Sequence, residues 1–384
     1  PRSAEPGTER VKPSKADKKE WRQSRREQHQ QLTLWWLDRM VMAEQQATER
    51  LTWFWHGHFA TSNQKVKNAQ LMLAQNETMR RLGLGDFRQL AQAMIIDPAM
   101  LIWLDGNNNT AKAPNENLSR EFLELFSLGH GNYSEHDVRE AARALTGWKI
   151  NRSRGTAMLR PGQHDSGVKD ILGSTGAFEA KSFVTLVVGQ QSSARFVASR
   201  LWFRLVSATP PSPAALARLT AAYGPGRNIT SLLRAITREP AFTHTATSIV
   251  KQPVEWTVGL MRALNVRPTL LEPQQQRRLT VTLRGMGQLP FLPPSVGGWP
   301  AGGGWLTTAG ALSRMEAARL ITSVAHLGTV AQRSAPRARV DYIRRLLGVD
   351  AFSPRTVNAI SQVAGDFPAA VAVAASSPQY TVSR

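Results

Sequence analysis

Residues 51–63, LTWFWHGHFATSN, constrain the fold more than any other segment, because two histidines lie inside a dense run of aromatic side chains. The run is apolar and compatible with a helix, which predicts that it is buried. A buried polar group without a hydrogen-bond partner costs about 1–3 kcal/mol. The rest of the chain must therefore provide partners for His56 and His58.

Composition predicts a globular protein without cysteine chemistry. The 384 residues, of which 42% are apolar, are enough for one large domain or two ordinary ones. The sequence has no cysteine, which excludes disulfides, zinc fingers and thiol catalysis. It also has no run of about 18 apolar residues, so we predict no transmembrane segment.

The charge balance favours an anionic neighbour. The chain has 48 Lys and Arg against 28 Asp and Glu, a formal net charge of +20. Such a surplus suits nucleic acid, an anionic lipid surface or an acidic cell-wall polymer, and it is equally typical of basic residues spread over solvated faces. The sequence has no specific nucleic-acid motif, and an anionic polymer or surface explains the charge equally well.

Apolar residues recur at helical spacing over most of the chain, which predicts a mainly α fold. Residues 1–31 are polar and basic, with nine Lys or Arg and five acidic residues, and we expect a flexible arm there. Residues 32–384 then form a single large, compact multi-helix domain. It divides into a helical core at 32–148, a loop-rich middle at 149–180 and a second helical part at 181–384.

Capping residues mark where several helices begin. Asp86 and Asp97 are N-cap signals, the second of them followed by a proline, and Ser134 with Asp137 has capping-box spacing. The loop-rich middle is rich in Gly, Pro and polar residues, and predicts either a long functional loop or a small strand pair. A second loop at 286–305, MGQLPFLPPSVGGWPAGGGW, is rich in Gly, Pro and Trp.

The histidines are candidate ligands of a metal centre. His56, His58 and His164, with Asp165, would bind a divalent metal, because sets of histidine and carboxylate suit Zn, Mn or Fe. Two residues apart on a helix means a rotation of about 200°, so His56 and His58 share an ion only if the helix breaks. Gly57 makes such a break feasible.

Glu121 and Glu124 are the candidate catalytic carboxylates. Either would act as the base that activates a metal-bound water. As a pair three residues apart they would alternatively serve glycoside cleavage, with the loop tryptophans as sugar platforms. The structural alternative is a half-buried helix face that forms salt bridges with Arg120, Arg139 and Arg143, while a histidine donates to a backbone carbonyl.

Eight blocks of sequence together resemble one bacterial family, and they occur in the family's order from about residue 34 to the C-terminus. The blocks are WFWHGHFATS, DPAMLIWLD, PNENLSREFLELFSLG, YSEHDVREAARALTGW, HDSG, VKQPVEW, the loop from GMGQ to GGWP, and SSPQY. On these blocks the chain resembles the family catalogued as domain of unknown function 1800.

The resemblance implies a location and a neighbour rather than an activity. Members are typically exported bacterial proteins, often encoded beside a second exported family similar to sulfatases and alkaline phosphatases. We therefore expect an exported, periplasmic or cell-envelope protein. Two functions stay open: a metal-dependent hydrolase that uses the histidines and carboxylates above, and a non-catalytic helical binding or assembly module for an anionic envelope partner.

Overall fold

The computed structural model describes residues 14–151, 154–244, 247–325 and 336–383, and these residues are mainly α-helical. In the first part of the chain, α7 continues directly into a π-helix. The helices are α1 (Lys15–Met42), α2 (Gln46–His58), α3 (Asn63–Val66), α4 (Ala69–Leu82), α5 (Phe87–Ile95), α6 (Pro98–Trp103), α7 (Asn117–Glu121), the π-helix (Phe122–Leu128) and α8 (Glu135–Ala144).

Four short strands separate this part from a second series of helices. The strands are β1 (Trp148–Asn151), β2 (Thr156–Leu159), β3 (Lys169–Ile171) and β4 (Ser174–Gly176). The elements that follow are α9 (Ala180–Gly189), α10 (Gln191–Leu205), α11 (Pro213–Tyr223), α12 (Ile229–Arg238), α13 (Pro240–Thr243), β5 (Ile249–Val250), α14 (Pro253–Ala263), α15 (Pro273–Gly285), α16 (Thr308–Val324), α17 (Pro336–Leu346), α18 (Pro354–Gln362), α19 (Phe367–Ala375), α20 (Pro378–Thr381) and β6 (Val382–Ser383).

The predicted capping residues hold the starts of their helices. The side chains of Asp86 and Asp97 accept backbone N–H hydrogen bonds in the first turns of α5 and α6. Ser134 and Asp137 form the predicted capping box at the start of α8. Each cap satisfies N–H groups that the first turn of a helix leaves without a partner. The mainly α fold class is confirmed.

The first helix begins earlier than the apolar pattern indicates. Ser14 and Asp17 form a capping box, and α1 then runs without interruption from Lys15. The second half of the predicted arm is therefore helical, because a local cap can start a helix without an apolar stripe. Residues 1–13 lie outside the described residues, and the flexibility of the arm stays a prediction.

The third predicted helix, over residues 64–82, is interrupted. Lys67 has a left-handed backbone conformation with φ 54° and ends α3. The Asn68 side chain then accepts from the Leu71 N–H and starts α4. A strong N-cap inside a helical pattern thus restarts the chain in a new direction.

The loop-rich middle contains two antiparallel hairpins, so the strand-pair alternative is correct. β1 pairs with β2 and β3 pairs with β4. The Lys169 side chain is buried beneath the second hairpin, and its ammonium donates to the carbonyls of Asp165 at 2.6 Å and Gly167 at 2.8 Å. These hydrogen bonds satisfy the buried charge and fix the HDSG segment.

Buried apolar side chains form two clusters, and α2 contributes to both. The first cluster includes Trp36 and Trp53 and joins α1 to α14, α15, α16 and α19. The second includes Trp55 and joins α2 to α5, the π-helix, α8, α9, α10 and α12. The aromatic run is therefore buried, as predicted, with different faces in different clusters. Among the described residues, no helix is both long and apolar enough to cross a membrane.

Candidate functional site

His56 is a buried hydrogen-bond acceptor in the middle of α2. Its Nε2 accepts the backbone N–H of Phe291 at 3.0 Å, and its ring is surrounded by Trp36, Trp53 and Trp299. Burial lowers the pKa of His56 to about 3, so the ring is neutral at physiological pH. The histidine thus fixes the start of the Gly/Pro/Trp-rich loop against α2.

His58 binds a different part of the fold. Its Nε2 lies 2.9 Å from the carbonyl oxygen of Phe126, so Nε2 carries the proton and donates it to the last turn of the π-helix. Burial, followed by the charge of Arg200, lowers the pKa of His58 to about 3. Nδ1 is then a bare acceptor, and it is buried without a hydrogen-bond partner among the described residues.

The predicted metal ligands lie in three separate surroundings. Gly57 does not break α2, so His56 and His58 keep different neighbours. His164 lies in the loop-rich middle, where its Nδ1 is 3.0 Å from the carbonyl oxygen of Thr146. Asp165 beside it binds Arg143 at 2.7 Å.

The structure therefore does not bring the three histidines together. Within the described ranges, no three His, Cys, Asp or Glu side chains are grouped so that they could hold a metal ion. The metal centre with Zn, Mn or Fe stays a prediction that this geometry does not support. Sequence neighbours two residues apart were the misleading signal, because an unbroken helix points them in different directions.

The candidate catalytic carboxylates lie where α7 passes into the π-helix. The Tyr133 hydroxyl donates to Glu124 at 2.5 Å, and burial together with the charge of Glu124 raises the pKa of Glu121. Their base role stays a prediction. Of the salt bridges weighed as an alternative, the Arg143–Glu140 pair is present at 2.7 Å.

Arg120 has other partners than the sequence suggested. It pairs with Glu116 at 3.1 Å and with Glu135 at 2.7 Å rather than with the carboxylates of the π-helix region. These contacts join α7 to α8 and are half exposed, so they contribute little to stability. They explain why Glu121 keeps a raised pKa although an arginine precedes it in the sequence.

A small cavity lies where α2, α10 and the Gly/Pro/Trp-rich loop meet. Its volume is about 60 Å³. The loop crosses α2 so closely that a Cβ on Gly298, which has φ +84°, would collide with the carbonyl oxygen of Gly57. The stacked rings of Trp53 and Trp299, 5.1 Å apart, line one side. The polar side chains that line the cavity are His58, Arg200, Arg204 and Gln252.

Cations outnumber carboxylates around this cavity. Arg200 makes no hydrogen bond or ion pair with the described residues, and its Nε is buried. Arg204 reaches Glu255 only at 3.9 Å, beyond hydrogen-bonding distance. Burial lowers the pKa of both guanidinium groups, which means that water solvates them poorly.

Two further cations extend the cluster. Burial, and then the charge of Arg50, lowers the pKa of Lys251 to about 8, and its ammonium lies 3.8 Å from the centre of the Tyr380 ring. The field of Arg50 also reaches Arg204. Four cations therefore face one nearby carboxylate, that of Glu255.

Sequence reasoning missed this cluster, although a signal for it exists. Arg50, Trp53 and Gly57 recur at spacings of three and four along α2, which places them on one helix face. Arg200 and Arg204 have the same spacing on α10, with an aromatic residue between them. Neither pattern reveals that the two faces meet, because about 150 residues separate them along the chain.

The comparisons with known proteins give one match. A family model described as a protein of unknown function matches residues 2–382 of the 384-residue chain. No curated protein matches the chain. No solved structure matches it.

Proposed function

The chain belongs to the family of proteins of unknown function DUF1800, and from its own site we propose that it binds monohydrogen phosphate, or a similar anionic group that carries a hydroxyl. The binding site is the cavity between α2, α10 and the Gly/Pro/Trp-rich loop. The proposal develops the hypothesis of a binding module for an anionic partner.

The observation that carries the proposal is the unpaired guanidinium of Arg200. A buried charge without a partner costs several kcal/mol, so folded proteins normally pair such groups. Here the nearest second arginine adds repulsion, because Arg204 has one distant carboxylate to offset it. An anion between the two guanidinium groups would compensate both charges and supply the acceptors that their N–H groups need.

His58 favours an anion that can also donate. Its Nδ1 lacks a proton because Nε2 donates to the Phe126 carbonyl, and its pKa of about 3 keeps it so at neutral pH. A fully deprotonated oxyanion such as sulfate would place an oxygen against this lone pair, where two acceptors repel each other. Monohydrogen phosphate would place its hydroxyl there, so the site would discriminate against sulfate.

The cavity size limits what can enter. A cavity needs about 10–15 Å³ of this measure for each water molecule, so about 60 Å³ holds a few waters or one group of similar size. A sugar ring or a nucleotide would not fit inside. Any larger ligand would therefore insert only its anionic group and remain outside with the rest.

The hydrolase alternative and the location remain hypotheses of different standing. The predicted metal ligands are not brought together, and we therefore argue for binding rather than for metal-dependent hydrolysis. We propose an exported or envelope location, and a neighbouring sulfatase- or phosphatase-like protein as a partner, on the family resemblance alone.

Titration calorimetry with phosphate and with sulfate tests the binding proposal. Hydrogen bonds to charged groups contribute about 1.5–3 kcal/mol, so Arg200→Gln should weaken phosphate binding at least about tenfold. Arg195→Gln is the matched control, because Arg195 lies on the same helix, is exposed and does not line this cavity. The control should bind phosphate as the unmodified protein does.

Two results would overturn the proposal. Equal affinity for sulfate and phosphate would remove the role of His58, and unchanged phosphate binding by Arg200→Gln would remove the site. Circular dichroism of each variant separates a loss of binding from a loss of folding.

A further inference from the structure

The first half of α1 is exposed on all sides. Residues 14–28 are all exposed, and burial on this helix begins only at Leu32. A helix without a buried face gains nothing from tertiary packing, which supplies most helix stability in globular proteins. The arrangement of its charges is therefore informative about what this segment contacts.

Positive and negative residues lie on opposite sides of this segment. At 100° per residue, all six cations fall within an arc of about 120°, and the three acids lie opposite. The cations are Lys15, Lys18, Lys19, Arg22, Arg25 and Arg26, and the acids are Asp17, Glu20 and Glu27. Like charges three and four residues apart destabilise a helix by about 0.2–0.5 kcal/mol per pair, so this segregation does not serve the helix itself.

The six cations have no carboxylate partner among the described residues. Asp17 caps the helix start, and Glu27 accepts from Gln23 on the acidic side. From Lys15 to Arg26 the cationic stripe spans about 16 Å, with a positive charge at every turn. This geometry matches a linear partner with repeated negative charges.

A groove runs beside the stripe, between α1 and the start of α4. Its volume is about 860 Å³. Trp21, which is 53% exposed, and Arg25 line it on α1, while Lys67 lines it from the turn before α4. The groove therefore continues the positive surface and adds an open aromatic ring.

We propose that this stripe and groove bind a linear polymer of phosphodiester groups without bases. Membrane insertion needs an apolar helix face, and residues 15–31 have only Ala16 and Trp21 as apolar residues. Single-stranded nucleic acid needs several open stacking platforms. The second tryptophan of the groove, Trp35, already has the guanidinium groups of Arg39 and Arg80 at 5.8 and 5.5 Å from its ring.

The test uses fluorescence anisotropy with a labelled abasic oligodeoxynucleotide, which offers a phosphodiester chain without bases. The triple variant Lys18→Glu, Arg22→Glu, Arg25→Glu should bind at least about tenfold more weakly. Each phosphate contact contributes about 0.7 to the slope of log K against log salt for single strands, so the slope should fall by about 2.

A matched control variant separates the stripe from net charge. Arg234→Glu, Arg319→Glu, Arg355→Glu changes the charge equally at exposed positions on α12, α16 and α18. It should keep the abasic affinity within about twofold, and equal weakening by both triple variants would overturn the proposal. Helical content and thermal midpoint are measured for both.

Two competing partners are further outcomes of the same experiment. An oligothymidylate of equal length that binds more than about tenfold tighter than the abasic chain would mean that bases are recognised. Binding to anionic phospholipid vesicles without binding to the abasic chain would mean a membrane surface. Either result would overturn the proposal. The cavity variant Arg200→Gln should leave abasic binding unchanged, so this inference and the phosphate site fail independently.

Discussion

At the scale of single residues, the two histidines of α2 have separate roles. Sequence reasoning predicted that both imidazoles need partners, and one predicted alternative, donation to a backbone carbonyl, holds for His58. The partner of His56 was not predictable, because the backbone N–H of Phe291 lies 235 residues away along the chain. Local patterns reveal a need for a partner but not its identity.

The lowered pKa of His56 predicts a loss of stability in acid. The folded pKa of about 3 is below the unfolded value of 6.5, so between these values the unfolded state binds a proton that the folded state does not. His56→Gln keeps an acceptor and removes this proton uptake. From pH 7 to pH 4.5, unmodified protein should lose about 2–3 kcal/mol relative to His56→Gln in urea unfolding. Parallel pH profiles would contradict this.

Lys251 predicts a pH dependence of anion binding. Its folded pKa of about 8 means that the ammonium near the cavity is lost as pH rises through 8, whereas an exposed lysine would stay charged up to about 10. Calorimetric affinity for phosphate should fall several-fold between pH 7.5 and pH 9. Lys251→Met removes this titration, so its affinity should change less over the same interval. Identical changes in both proteins would exclude Lys251 as a contributor.

At the scale of elements, helices were more predictable than their junctions. N-cap residues such as Asp86 and Asp97 act over three or four residues and can be recognised in the sequence. The extra residue of the π-helix and the crossing of the Gly-rich loop over α2 depend on partners that are distant in sequence. The candidate site was missed for the same reason, since its two arginine faces meet only in the folded chain.

The loop crossing predicts opposite outcomes for two adjacent glycines. Gly298 has φ +84°, and a Cβ there would collide with the Gly57 carbonyl oxygen. Gly298→Ala should therefore destabilise the protein by about 1–3 kcal/mol and weaken phosphate binding. At Gly297 the nearest atom to a new Cβ is the Ser295 hydroxyl at 3.6 Å, an ordinary contact. Thermal unfolding of Gly297→Ala should stay near that of the unmodified protein, and an equal loss in both would refute the argument.

At the scale of the whole molecule, α2 connects two buried clusters. Trp53 belongs to the cluster of α14–α16, and Trp55 belongs to the cluster of α5 and α8–α10. Neither cluster can lose α2 without exposing large aromatic side chains. This is the physical reason for keeping the predicted single domain from residue 32 onward.

The shared helix predicts one cooperative unfolding transition. Far-ultraviolet circular dichroism, which reports helices, and tryptophan fluorescence, which reports the clusters, should give coincident midpoints in urea. Trp55→Ala should shift both midpoints together, because truncation of a large buried aromatic residue costs about 3–5 kcal/mol. Two separated transitions would instead divide the chain into independent units.

The π-helix places a limit on changes of chain length. Removing one residue between Phe122 and Leu128 would favour an ordinary α-helix and rotate everything after the deletion by about 100°. The Phe126 carbonyl would then turn away from His58, and the imidazole would lose the partner that fixes its tautomer. Substitutions in these seven residues can preserve the register, whereas a single-codon deletion cannot. Homologous chains that keep the phosphate site should therefore vary in this segment by replacement and not by length.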